Sequence, residues 1–312
     1  MHHSQKAEEL QESHGPSAPS FSARLQAATA LTDILTRHNI PHAFIGGFAF
    51  NLLGTSRSTL DIDVIIEDSA FPPCPRPTPD PSSHVQNIKT STPTKTPEPA
   101  IHQIRQLLVD HDSRFSLVGA GLVPKLVFTA QTEGENNNNP VPAVRVPVRV
   151  PVETLRAGSL GLPRHLNQVR TVLLGIPILA PRFLLLTKIK RCTNFLGSDR
   201  PKSVERFKSD EGDIKYLLEW LVEEGERVDI EGYCRSCGGA GRPAVFDDNS
   251  LIRKIGELVW FWKGKGDEEK ETVARLQRAM EEEDWKRVVA VGEQRQQEED
   301  TAADQGEMLA LL

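Results

Sequence analysis

The chain has 312 residues, enough for a large core and two domains, and a net charge of −6 that argues against a generally basic nucleic-acid binder. An apolar fraction of 38% with 22 prolines and 22 glycines predicts that part of it does not pack. The absence of a ~20-residue apolar run and of a signal-peptide core, with four scattered cysteines, predicts an intracellular, cytoplasmic protein that binds no membrane, the nucleus not being excluded.

The first 21 residues are polar and aperiodic, which predicts a disordered tail. A helix is expected from Ser22, which is a suitable N-cap residue. An apolar stripe with helical spacing follows it, formed by Leu25, Ala28, Leu31, Ile34 and Leu35.

The segment 43–45 is short and apolar, as expected of a buried strand, and it ends in Gly46 and Gly47. Glycine lets the backbone turn sharply and approach a ligand closely, because it has no Cβ. A helix is predicted to begin around Phe48. Its free N–H groups would face whatever lies over the glycines, and this favours a phosphate.

A second strand is predicted over residues 60–66, and it carries Asp61 and Asp63. Residues two apart on a strand point to the same face, so the two carboxylates should project together. Burying them without a partner is costly. A divalent cation such as Mg²⁺, which takes oxygen ligands from carboxylates and substrate phosphates, would explain the pair.

Residues 69–100 are rich in proline and should form a mobile insertion without a core. The remaining pattern predicts a short helix over 101–108, strands over 115–118 and 122–130, and a loop over 133–140. We interpret 22–180 as one domain that contains the insertion.

Residues 144–155 alternate apolar and polar side chains, which predicts a half-buried strand that Pro147 and Pro151 push towards an edge or a bulge. Glu153 near its end is either a functional carboxylate or an ordinary surface glutamate. Residues 156–180 are interpreted as connecting structure with one short strand over 172–174.

A helical domain is predicted over 181–293, followed by an acidic tail over 294–312. Its helices are expected over 182–192, from Asp210 onwards, over 251–262 and over 268–291. Residues 182–208 hold eight basic and two acidic side chains, which could clamp a triphosphate, attract RNA or form a solvated helix face. Cys234 and Cys237 lack a second pair for zinc and are expected as free thiols in a loop.

One group of residues resembles the signature of the DNA polymerase β-like nucleotidyltransferase superfamily, in particular its small uncharacterised and abortive-infection-toxin-type branches. The likeness covers about 23–158 and continues more weakly to about 224. It implies an α+β fold, with a small mixed sheet, flanking helices and a helical C-terminal domain. The residues that carry it are Gly46, Gly47, Ala49, Gly54, Arg57, Thr59, Asp61, Ile62 and Asp63.

The resemblance implies a catalytic and metal-binding set of Asp61, Asp63 and Glu153, which would hold Mg²⁺ or Mn²⁺ beside a nucleoside triphosphate. Gly46 and Gly47 would hold its phosphates. Four further residues are candidates for the nucleotide side of the cleft: Arg57, Lys188, Lys208 and Asp213. The run from Lys208 to Ile214 is similar to a Lys-Asp-x-x-Asp-Ile element of the superfamily, but Asp210 and Asp213 also resemble a helix cap.

The implied enzyme moves a nucleoside monophosphate from the triphosphate to a hydroxyl group on protein, RNA or a small molecule. The alternative is a degenerate member that binds nucleotide or a partner protein without transfer. A third hypothesis is that the helical C-terminal half serves as a structural scaffold. A competent site should place Glu153 on the same side as Asp61 and Asp63, within the few Å that one metal can bridge.

Overall fold

The structure, a computed structural model, describes residues 18–67, 99–119, 124–133, 145–238 and 248–310. The expected tail up to residue 17, the insertion over residues 69–98 and most of the loop over 133–140 lie outside the described residues. The described strands are β1 (His42–Ile45), β2 (Ile62–Ile66), β3 (Phe115–Val118), β4 (Lys125–Glu133), β5 (Arg145–Arg156), β6 (Arg170–Leu173) and β7 (Ile176–Leu179).

Helices occupy both the flanks of the sheet and the C-terminal half. They are α1 (Phe21–Arg37), α2 (Gly46–Leu52), α3 (Pro99–His111), α4 (Pro181–Thr193), α5 (Pro201–Glu223), α6 (Ile230–Cys237), α7 (Asp248–Lys263), α8 (Asp267–Ala279) and α9 (Glu282–Ala310). None of these described helices combines the length and the apolar character needed to cross a membrane.

The strands form one sheet in the order β3-β4-β5-β2-β1-β7-β6. The β2–β5 and β1–β7 pairs are parallel, and the other pairs are antiparallel. The expected fold class, a mixed sheet with flanking helices followed by a helical region, is confirmed. α1 lies against β4, β5 and β7 through its buried apolar stripe, so it supports the middle of the sheet.

The strand β5 has the predicted length but lies closer to the centre of the sheet than its prolines suggested. It pairs with β4 along residues 145–152, but with β2 only from Val152 onwards. The half that contains Pro147 and Pro151 therefore has an open flank, where a missing N–H costs no ladder bond. The prediction of an edge strand was right for this half and wrong for the half that carries Glu153.

The short strand predicted over 172–174 is present as β6, but the segment after it, predicted as connecting structure, is a second strand, β7, and the two form a hairpin. Leu174 and Gly175 turn the chain at positive φ, 52° and 79°. Two successive positive φ angles suit a two-residue hairpin turn. The returning strand β7 then pairs with β1 and extends the sheet.

Several predicted helix limits were also wrong. α1 is capped by Ser20, whose Oγ accepts from the amide of Ala23 at 3.2 Å, and not by Ser22. α5 begins at Pro201, so Asp210 lies in its middle and cannot cap it. The predicted helix over 268–291 is interrupted at Met280, and the segment predicted as a tail continues as α9 to Ala310.

Candidate active site

Asp63 and Glu153 are direct register partners on the parallel strands β2 and β5. Residues opposite each other in a ladder project from the same face of the sheet. Asp61 lies two residues before Asp63, at the entry to β2. One ligand oxygen from each of these three carboxylates can be chosen so that all three atoms lie within 4.8 Å of one another. They therefore form a cluster that could hold one metal ion.

Gly46 makes the space that the Asp63 carboxylate occupies. A Cβ placed on Gly46 would lie 1.9 Å from Oδ2 of Asp63, and the backbone φ there is +66°. Both facts exclude an ordinary side chain. Ile45, the residue before it, is the register partner of Asp63 on β1. The glycine turn and the acidic strand thus meet at one point, as the sequence pattern predicted.

Gly47 makes room for Thr59 in the same way, since a Cβ on Gly47 would lie 2.6 Å from Cβ of Thr59. The Thr59 hydroxyl donates to Oδ1 of Asp61 at 3.2 Å. The buried Arg24 of α1 donates to the Thr59 carbonyl at 2.9 Å and to Oδ1 of Asn51 at 3.0 Å. This chain of contacts fixes the segment that enters β2, and with it the Asp61 side chain.

The site carries uncompensated negative charge. The pKa of Asp63 is raised to about 7, mainly by burial and also by the charges of Asp61 and Glu153 and a hydrogen bond to Glu153, while Lys188 opposes the shift. When Asp63 is protonated, its carboxyl group can donate a hydrogen bond to Glu153. Groups in this situation bind a divalent cation readily, because it replaces the proton and offsets the repulsion.

A network of buried ion pairs lies beside the carboxylates, between α4 and α5. Lys188 donates to Asp213 at 2.6 Å and to Asp210 at 3.1 Å. Arg191 donates from Nε to Asp210 at 2.7 Å and also through Nη2. Arg57 pairs with Asp213. Asp210 is fully buried, which explains why it takes two cationic partners.

The predicted nucleotide-side residues separate into two groups. Arg57, Lys188 and Asp213 come together in this network, and Lys188 also lies 5.3 Å from the centre of the Phe50 ring of α2. Lys208 does not join them. It is exposed and lies two residues before Asp210, about 200° away around the helix.

No role in the site was predicted for Arg24 or Asn51, and Arg191 was predicted only as one of the eight basic residues of 182–208. Arg24 lies seven residues before Leu31, on the buried face of α1, and an arginine at such a position needs partners. That is the one signal by which it could have been found. The network also changes the interpretation of the basic stretch, because Lys188 is buried against Asp210 and Asp213, and Arg191, although its side chain is 54% exposed, binds the buried Asp210.

The predicted loop with two free thiols is instead the end of α6, where Cys234 and Cys237 are both buried as free cysteines. Beside them, Lys190 donates to the Tyr233 hydroxyl at 3.0 Å. Burial lowers the pKa of Lys190 to about 8. The prediction of a loop was wrong because the apolar face of this short helix depends on its contact with α4 and α7.

Comparison with known proteins gives the chain one named structural likeness. No family model and no curated protein matches it. A crystal structure of an antigenic nucleotidyltransferase-like protein from Paracoccidioides brasiliensis is similar, with 17% identity and a TM-score of 0.42. The alignment covers 82% of this chain and 88% of that one. A similarity this low says nothing about activity.

Proposed function

We propose that the protein is a Mg²⁺-dependent nucleotidyltransferase, which moves a nucleoside monophosphate from a nucleoside triphosphate to a hydroxyl group on protein, RNA or a small molecule. The observation that carries the proposal is the cluster of Asp61, Asp63 and Glu153 directly beside the Gly46 turn. Hard carboxylate oxygens at one point fit Mg²⁺ or Mn²⁺, which completes its shell with water and phosphate oxygens.

The proposed role of each residue follows from its position in the site. Asp61 and Asp63 would hold the ion, which when bound offsets charge on the phosphates and on the leaving pyrophosphate. Glu153 is the exposed member of the three, so it can take the proton of an acceptor hydroxyl that arrives from solvent. Gly46 and Gly47 open the backbone for the phosphates at the beginning of α2.

Arg57 and Lys188 would supply the positive charge near the phosphates. The Arg57 side chain is 33% exposed, so it can turn to a ligand, whereas that of Lys188 is 8% exposed and stays close to Asp213. Lys188 acts on the site mainly by its field, since it lowers the pKa of Asp63.

One observation favours the second candidate, a module that binds nucleotide or a partner without transfer. Both cations of the cleft are already paired with carboxylates of α5, so less positive charge is free for a triphosphate than in an open site. In this alternative the carboxylates bind an ion and a nucleotide, but too little free positive charge remains to stabilise the leaving pyrophosphate.

The two candidates are separated by incubating the full chain with Mg²⁺ and each of the four α-³²P-labelled nucleoside triphosphates, and following label on the protein itself and on total RNA. Pyrophosphate release is followed in parallel with γ-³²P-labelled triphosphates, because the leaving pyrophosphate carries the β- and γ-phosphates and none of the α label. Wild type is expected to transfer label, and Asp61→Asn/Asp63→Asn is expected not to. Asp33→Asn, an exposed aspartate on α1, is the matched control. Saturable nucleotide binding without transfer or pyrophosphate release would refute the enzyme and leave the binding module.

A further inference from the structure

Two exposed histidines meet away from the carboxylate cluster, at the C-terminal ends of two helices. His38 is the C-cap residue of α1, and His111 is the last residue of α3. Their Nε2 atoms are 3.0 Å apart, although the residues are 73 positions apart in the sequence. The fold, and not a local motif, brings the two rings together.

The ring geometry is suitable for two ligands of one ion. Nδ1 of His111 lies 2.9 Å from the carbonyl oxygen of Leu107, so it can donate its proton there and leave the Nε2 lone pair free. Metal-bound histidines usually have such a second partner. Two nitrogens bound at ~2.0–2.1 Å to one tetrahedral or square-planar ion lie ~2.9–3.4 Å apart, a range that includes the observed separation.

The surroundings also suit a cation. The ring planes are nearly perpendicular, at 87°, and the ring centres are 4.6 Å apart. If one ring donated a hydrogen bond straight along the line through both ring centres, the centres would be farther apart than this. The C-terminal ends of α1 and α3 each contribute partial negative charge at this point. Because both side chains are exposed, water can fill the remaining coordination positions.

We propose that His38 and His111 form a binding site for one borderline divalent transition-metal ion, of the class of Cu²⁺, Ni²⁺ or Zn²⁺, which links α1 to α3. Imidazole nitrogens prefer these ions, whereas the carboxylate cluster prefers Mg²⁺ or Mn²⁺. The site is therefore chemically distinct from the proposed catalytic one and does not depend on nucleotidyl transfer. The simpler explanation of the contact is a direct hydrogen bond between the two rings.

Titration calorimetry of the full chain with NiCl₂, in a His2→Ala/His3→Ala background and with excess Mg²⁺, tests the proposal. The two substitutions remove tail histidines that could chelate the ion, and Mg²⁺ occupies the carboxylates. One Ni²⁺ per chain is expected. Both His38→Gln and His111→Gln should weaken its binding at least ten-fold, whereas His102→Gln, an exposed histidine of the same α3, should not.

Circular dichroism of each variant checks that it is folded, and both substitutions are at exposed positions. As a second measurement, the electron paramagnetic resonance spectrum of bound Cu²⁺ should show coupling to two imidazole nitrogens, and to one in either variant. The proposal is overturned if no saturable binding occurs, or if either single variant binds as well as its parent. The pair would then be a hydrogen bond and nothing more.

Discussion

Asp63 and Glu153 lie opposite each other on two parallel strands, so that a single proton or a single cation can serve both carboxylates. The unfolded chain has neither the pairing nor the burial, and there the pKa of an aspartate is ~3.9. Because the pKa of Asp63 is about 7 in the folded protein, the folded state binds the extra proton between these two values. The stabilisation by this proton is complete at low pH and is lost as the pH rises through 7.

It follows that Asp63→Asn should make the metal-free protein more stable above pH 7, by roughly 1–3 kcal/mol, because the neutral amide removes the buried repulsion. Urea unfolding between pH 4 and pH 8 in EDTA measures this. The advantage should shrink towards pH 4, where Asp63 of the wild type is protonated. Asp33→Asn should follow the wild type throughout.

Mg²⁺ should stabilise the wild type more than it stabilises Asp63→Asn. At pH 8 it should raise the melting temperature of the wild type, because binding to the folded state alone stabilises it. Asp63→Asn should gain much less. An equal gain in both proteins would show that the ion binds elsewhere.

Gly46→Ala should abolish Mg²⁺ binding and labelling, because the new methyl group would occupy the position of the Asp63 carboxylate. Gly197→Ala is the matched control. Its φ of +69° is close to the +66° of Gly46, but among the described residues no atom outside its chain neighbours lies within 4 Å of a Cβ added there. Both variants should lose roughly 1–2 kcal/mol of stability through backbone strain, and only Gly46→Ala should lose the ion. Retained Mg²⁺ affinity in Gly46→Ala would contradict the site.

Thr59→Val should weaken Mg²⁺ binding several-fold with little change of shape, because it removes the hydroxyl that donates to Asp61. Thr55→Val is the control, since the buried Thr55 hydroxyl has no hydrogen-bond partner within the described part of the chain and its loss should be neutral or stabilising. Calorimetric titration with Mg²⁺ compares the two. Equal Mg²⁺ affinities of the two variants would show that the Thr59 hydroxyl does not support the site.

Lys188→Met should destabilise the protein by roughly 3 kcal/mol, because it leaves the buried Asp210 and Asp213 with one cation fewer. It should also raise the pKa of Asp63 further, since Lys188 opposes that shift. Lys208→Met should change stability by less than about 0.5 kcal/mol, as expected for an exposed position. Urea unfolding of both variants gives the comparison. Similar losses for the two lysines would show that the network contributes nothing.

The sequence was informative where the signal is local. The glycine turn at Gly46 could be recognised from the glycines that follow a short apolar segment. The shared face of Asp61 and Asp63 follows from the alternation of side chains along a strand. The place of Glu153 does not, because it depends on β5 pairing with β2 across about 90 residues, a pairing that no local pattern encodes. From the sequence alone, Glu153 could be either a functional carboxylate or an ordinary surface glutamate.

The wrong predictions have a similar cause. Asp210 looked like a helix cap because Asp213 follows it by three residues just before the apolar stripe of the helix, and only the contacts of Asp210 with Lys188 and Arg191 show that it is a buried ion-pair partner. The strand β7 looked like a connection because a four-residue apolar segment becomes a strand only when it has a neighbour, here β1. Tertiary contacts decided both cases.

The contact between Arg57 and Asp213 has a mechanical consequence. Arg57 follows α2 next to the sheet, and Asp213 belongs to α5, so this one ion pair spans the boundary between the sheet and the helical half. Separating the two halves would remove one of the two cations paired with the buried Asp213 and leave it with Lys188 alone. The cleft should therefore resist hinge-like opening. It should admit its ligands by side-chain rearrangement, in which the Arg57 side chain moves away from Asp213.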